Sequence, residues 1–155
     1  MDFQTEYDKL YRYCYCRLGH RETAEDTAQE AIVRFLEHPE YAGTGRERQY
    51  LYTIARNLCT DVYRRETALP LDEISAAQDS GEEAWLTHVA LALALHALSE
   101  EDRELIVLRY ISDVPVRTLA AMHGVSWFSM NRRIKRILRT MRDTLGEEGA
   151  EWTDK

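Results

Sequence analysis

Cysteine is scarce in this chain: three in 155 residues, Cys14, Cys16 and Cys59. So small and odd a set does not make a disulfide framework, and a reducing cytoplasm is the expected location. Proline is equally scarce, confined to Pro39, Pro70 and Pro115, so long helices can run unbroken between them. Long apolar runs are missing. The longest, VALALAL at 89–95, falls well short of the roughly 18 residues that mark a membrane-spanning helix and suits a helix core instead. The opening MDFQTEYDKLYRYCYC starts acidic and holds no apolar segment followed by small residues, so it does not read as a signal peptide. Catalytic signatures are absent too: no Walker loop, no G-x-G-x-x-G, no H-E-x-x-H and no G-x-S-x-G. The sequence therefore predicts no enzyme and no cofactor. Cys14, Cys16 and His20 form a C-x-C-x3-H cluster, but only Cys16 and His20 share a helix face and a fourth ligand is missing. No metal site is expected there.

Positive charge is in the minority but gathered. The net charge is −7. Residues 46–65 nevertheless hold five arginines against Glu47 and Asp61, and residues 126–142 hold six basic side chains and no acid. Between them, residues 66–104 hold ten acids against Arg103. Two basic islands in an acidic chain point to local anionic partners, which the global charge conceals.

The periodicity is helical throughout, and no strand pattern or repeat occurs. A first helix is predicted from Phe3 to Leu18, stopped by Gly19. A second spans Glu22 to Glu37, with Ala28, Ala31, Ile32, Phe35 and Leu36 toward a core. Its other face, with Glu22, Asp26, Gln29, Glu30 and Val33, is polar and acidic. A third helix covers Arg48 to Arg65, with an apolar stripe of Leu51, Ile54, Ala55, Leu58 and Val62. A second face carries Tyr52, Arg56, Thr60, Tyr63 and Arg64. Rings beside cations suit a nucleic-acid strand, and equally a solvated amphipathic helix. The stretch ETALPLDEISAAQDSGE at 66–82 breaks the pattern and reads as an acidic linker. The fold class is all-α, with two small helical domains at 1–66 and 83–155 joined through 67–82.

The second domain opens on the Ser80–Glu83 capping box, with a helix to Leu98. Another follows from Ser99 to Tyr110, then one beginning at Pro115 and ending at Gly124. Ser126 is a fitting N-cap for a final helix to Leu145. The last two make a helix-turn-helix pattern. Leu119 and Ala120 supply the buried side of the first, and Met130, Ile134, Ile137 and Met141 that of the second. Asn131, Arg132, Lys135 and Arg136 are left outward, where long cationic donors and one amide suit base edges in a major groove. Arg133 and Arg139 suit phosphates.

Three segments in order resemble the extracytoplasmic-function sigma factors of bacterial RNA polymerase. AEDTAQEAIVRFLEH is similar to the family's A-E-D-x-x-Q-E segment, QYLYTIARNLCTDVYRRE to its W-L-Y-x-I-A-R-N segment, and residues 95–145 to its region four. The resemblance covers nearly the whole chain. It implies that residues 1–66 are a region-two domain and 83–155 a region-four domain. It also implies that Asp26, Gln29 and Glu30 dock on the clamp coiled coil of core RNA polymerase. Arg46, Arg48, Tyr50, Tyr52, Arg56, Asn57 and Arg64 would read the minus-ten element as single-stranded promoter DNA. Ser129, Asn131, Arg132, Arg133, Lys135, Arg136 and Arg139 would meet the minus-thirty-five duplex. The linker would thread toward the RNA exit path, and an anti-sigma factor is a partner that the family commonly has. No membrane insertion is expected.

Departures from the family pattern are Tyr50 for the usual Trp, Glu47 where Phe is common, and Pro115 for a capping Ser, with Asp113 available to cap. Trp127, Phe128 and Met130 are bulkier than the usual Gly, Thr and Val mix. Two other readings of the same residues are a stand-alone helix-turn-helix regulator that binds operator DNA without polymerase, and a degenerate sigma-like module that binds protein alone.

Overall fold

The computed structural model describes residues 2–65 and 90–146, and among them every regular element is helical, so the chain is all-α. Helix α1 spans Phe3–Leu18. Asp2 caps it by accepting from the Gln4 N–H at 3.1 Å and the Thr5 hydroxyl at 2.8 Å, which satisfies donors that the first turn leaves free. Gly19 ends it with φ +77° and donates its N–H to the Tyr15 carbonyl at 2.8 Å, a left-handed cap that suits a residue without Cβ. Helix α2 spans Arg21–Leu36, a single turn of 3-10 helix covers Pro39–Tyr41, and α3 spans Glu47–Arg65.

The core of this half is built on size contrast. Leu10, Tyr13 and Cys14 of α1 and Leu51, Tyr52, Leu58 and Cys59 of α3 are buried against the small Ala24, Ala28 and Ala31 of α2. Alanines let the α2 backbone approach closely, and the larger side chains fill the space opposite. Phe35 closes one end with Phe3, their rings edge-on at 6.1 Å. Leu36 departs from the expectation of a core position: it is exposed, beside the exposed Val33.

Residues 90–96 form a helix, α4. Helix α5 spans Glu100–Ile106, with the Ser99 hydroxyl accepting from the Asp102 N–H at 3.2 Å. Arg103 reaches back and donates to the carbonyls of Leu95 and Leu98 at 3.0 and 3.1 Å, so the open C-terminal end of α4 is closed by a cation. The helix expected to run on to Tyr110 instead widens into a π-helical turn over Val107–Ile111. The Ser112 N–H then bonds to the carbonyl of Val107, five residues back, at 3.1 Å. This turn brings the buried Ser112 hydroxyl onto α1, where it donates to the Lys9 carbonyl at 2.7 Å.

Helix α6 spans Val116–His123 and α7 spans Trp127–Leu145. Pro115 is the residue that precedes α6, and no side chain caps this helix; Asp113 adopts φ +55° and does not take over the capping. Val114 bridges the gap, its N–H on the Leu108 carbonyl at 2.9 Å. The core here joins Leu105, Leu108, Leu119, Met130, Ile134, Ile137 and Met141. The expected linker at 67–82 and the Ser80–Glu83 capping box lie outside the described residues.

One buried carboxylate ties the two halves together. Glu104 on α5 accepts from the Tyr13 hydroxyl at 2.7 Å and from Arg17 at 2.6 Å, while Arg56 on α3 lies 3.1 Å from its other oxygen. Arg17 also donates to Tyr13 at 2.8 Å and to Thr60 at 3.3 Å. A lone buried carboxylate would be costly; this one has both oxygens engaged by cations and a hydroxyl.

Glu104→Ala leaves those donors facing each other without their acceptor. Because both arginines keep some water contact, the expected loss is about 2 kcal/mol, read as a lower urea midpoint. Tyr13 adds a pH signature. Burial first, then the Glu104 charge, pushes its phenol well above the ordinary value. The unfolded phenol ionises near pH 10, so this contribution is intact below about pH 10 and is lost as pH rises beyond it. Urea midpoints measured between neutral and alkaline pH should fall more steeply for the parent than for Tyr13→Phe.

Candidate nucleic-acid interface

Helix α7 is turned by its core contacts. Met130, Ile134, Ile137 and Met141 are all buried, which fills one side and leaves the opposite side to water. Phe128, Arg132, Lys135, Arg136 and Arg139 are exposed. Residues 128, 132, 135 and 139 recur at helical spacing, so they form one stripe headed by an aromatic ring. Asn131 and Ser129 lie half-buried at its edges. The Ser126 hydroxyl caps the helix by accepting from the Ser129 N–H at 3.1 Å. The turn before it holds Gly124 at φ +66°, and the Val125 N–H closes onto the Ala120 carbonyl at 3.0 Å.

Arg133 differs from the phosphate contact expected of it. It lies to the side of the stripe and donates from Nε and Nη2 to one Asp102 oxygen at 3.1 and 2.9 Å, with Glu101 at 3.5 Å. This guanidinium fastens α7 to α5.

Helix α3 also differs from the sequence reading. Tyr52, expected outward, is 1 % exposed and packs edge-on to Tyr13 at 6.1 Å. Arg56 pairs with Glu104, and Thr60 is half-buried beside them. The face with Tyr52, Arg56 and Thr60 therefore looks toward the other half of the chain. Outward on α3 are Asn57 and Arg64, with Arg46 just before the helix, and Tyr50 half-buried between. Tyr50 stacks on Tyr41, ring centroids 4.3 Å apart. Arg48 donates to the buried Glu6 at 2.9 Å but keeps an exposed flank. Glu47 accepts from the Gly43 N–H at 3.0 Å and so ties down the loop before α3.

A groove of about 400 Å³ runs between this loop and α6, lined by Arg46 and Arg48 on one side and Pro115, Arg117 and Thr118 on the other. Arg117 belongs to the positive surface and escaped the sequence reading, because the pairing of α6 with the loop is a tertiary feature. Phe128, marked in the sequence as a bulky departure from the family pattern, stands one turn before Arg132 at the head of the stripe.

The acidic face of α2 lies where periodicity put it. Asp26, Gln29 and Glu30 are exposed, with Val33 and Leu36 as exposed apolar neighbours and Glu30 paired to Arg34 at 2.9 Å. The C-x-C-x3-H residues do not converge: Cys14 is buried in the core and Cys16 is exposed. No helix among the described residues is long and apolar enough to cross a membrane.

Known proteins similar to this chain are sigma factors. The model for sigma-70 region 2 matches residues 3–68, which covers α1 to α3. The chain is 32 % identical over 149 residues to the ECF RNA polymerase sigma factor SigL of Mycobacterium tuberculosis, spanning 90 % of this chain and 84 % of that one. It is 27 % identical over 152 residues to the ECF RNA polymerase sigma factor BldN of Streptomyces coelicolor, spanning 91 % of this chain and 58 % of BldN. It is also 27 % identical over 159 residues to SigW of Bacillus subtilis, spanning 89 % and 83 %. A relative at this identity across most of both chains, with an all-α fold and a region-two match over the first three helices, places the chain in a family: it belongs to the ECF sigma factors of RNA polymerase.

Proposed function

We propose that the chain brings core RNA polymerase to promoters through two helical domains, 1–66 and 83–155, acting on either side of the 67–82 segment. It works in the cytoplasm, without catalysis of its own. The observation that carries this reading is the stripe of Arg132, Lys135, Arg136 and Arg139, which stands opposite a fully buried stripe in a chain of net charge −7. In this reading α7 enters the major groove of the minus-thirty-five duplex, with Asn131, Arg132, Lys135 and Arg136 toward base edges and Ser129 and Arg139 toward phosphates. Asp26, Gln29 and Glu30 dock on polymerase, helped by Val33 and Leu36.

The minus-ten strand falls to the outward residues Arg46, Asn57 and Arg64, with the half-buried Tyr50 between them and Arg48 at their margin. Tyr52 and Arg56 are engaged by Tyr13 and Glu104, so they join that surface only when the two halves separate. An anti-sigma factor that wedges between the halves would act on the same contact.

In transcription assays with core polymerase and a promoter library, the parent chain should yield promoter-dependent transcripts. Arg132→Glu with Arg136→Glu should abolish them while leaving polymerase binding intact. A footprint on duplex DNA without polymerase would instead favour a stand-alone regulator. Transcription untouched by the charge reversals would favour a module that binds protein alone. Asp26→Lys with Glu30→Lys should weaken association with core polymerase by at least about tenfold, read by size exclusion or polarisation. Arg139→Ala should lower the salt slope of duplex binding by about 1 at unchanged stability. Arg133→Ala should instead lower the urea midpoint, since its partner is Asp102.

A further inference from the structure

Among the described residues Phe128 is the most exposed of the large apolar side chains, at 73 %. It takes no part in the core, yet its backbone is fixed. It sits in the first turn of α7, two residues after the Ser126 cap, and Trp127 packs edge-on against its ring at 5.2 Å and 89°. The Trp127 ring meets one part of the Phe128 ring and leaves most of it open to solvent. Phe128 also stands at the head of the stripe that continues through Arg132, Lys135 and Arg139.

Resting on the promoter reading above, we propose that Phe128 is a specificity residue that packs on the C5-methyl group of a thymine in the duplex read by α7. The N-terminal residues of a helix in the major groove come closest to base edges. That groove offers one apolar feature, the thymine methyl, and Phe is among the side chains that meet it. Charge selects the same partner. Arginines and a lysine flank the ring on its own stripe, and a duplex offers phosphates on both sides of a groove whose floor carries the methyl. An apolar pocket on a protein would not ask for that setting. Trp127 is then a positioning residue, acting through the Phe128 ring.

The test uses the full chain assembled with core polymerase, and a duplex enriched by that holoenzyme from a randomised pool. Each thymine of the enriched duplex is replaced in turn by deoxyuridine, which removes the methyl and nothing else. The parent should lose about 4-fold in affinity at one thymine, the worth of one buried methyl-sized group. Phe128→Ala should bind the thymine duplex that much more weakly and no longer distinguish uracil there. Phe128→Leu should retain part of the discrimination, and Arg132→Ala all of it.

The proposal is overturned if uracil is silent at every position for the parent, or if Phe128→Ala remains sensitive to it. It is also overturned if Phe128→Ala weakens binding to core polymerase without DNA, which would make the ring a protein contact. These failures are separable from failure of the promoter reading. If the pool yields no enriched duplex, or if Arg132→Glu binds as well as the parent, the minus-thirty-five assignment itself falls and this inference with it.

Discussion

The arrangement depends on Glu104 being buried. A carboxylate taken out of water must have its charge met and its lone pairs filled, or the loss of hydration outweighs what folding gains. Here its partners are distant in sequence: Tyr13 and Arg17 on α1, and Arg56 on α3. Two of them have a second tie, Arg17 to Tyr13 and Thr60, and Tyr13 to the ring of Tyr52. A node with so many matched donors is satisfied in one register only. The Ser112 hydroxyl on the Lys9 carbonyl, just beyond the π-helical turn, fixes the same register a second time. The face of α3 that turns inward follows from this, and so does the face left for a partner.

The same logic sorts the arginines. Arg17, Arg48, Arg56 and Arg133 each lie within ion-pair distance of an acid on another helix. Such pairs hold geometry more than they add stability, because desolvation offsets much of the attraction. No acid among the described residues pairs with Arg132, Lys135, Arg136 or Arg139. Among the described residues their charge meets no counter-charge. Net charge alone hides this division: an acidic protein can still offer a concentrated positive strip wherever its acids are committed elsewhere.

Much of this was legible in the sequence, and the limits of legibility have physical causes. The ends of α1 and α7 were readable from Gly19 and Ser126, because caps are local chemistry. The buried stripe of α7 was readable from spacing, because one of its sides is plainly apolar. The three ordered motifs pointed to the family that the comparisons now show. Helix α3 was harder, since it carries aromatic and cationic residues on two faces. Periodicity separates such faces without saying which one a distant helix will cover, so it leaves the inward turn of Tyr52 and Arg56 hidden. The pairing of Arg133 is hidden for the same reason: its acid, Asp102, is thirty-one residues away. The π-helical turn and the positive φ of Asp113 are tertiary in origin too, set by how Ser112 reaches α1.

Helix α7 shows how two modest constraints give a defined surface. The buried Met130, Ile134, Ile137 and Met141 fix its rotation, because turning it by one residue, about 100°, would expose apolar groups and bury cations. The Ser126 cap and the left-handed Gly124 fix where it begins, because the Val125 N–H must reach Ala120. Rotation and starting point together decide that Phe128 leads the stripe and Arg132 follows one turn later. The turn sets how far the stripe extends toward α6, and the core sets which way it points. Neither depends on the charged residues themselves. The outward positions can therefore be exchanged without disturbing the helix that carries them, whereas the inward ones cannot.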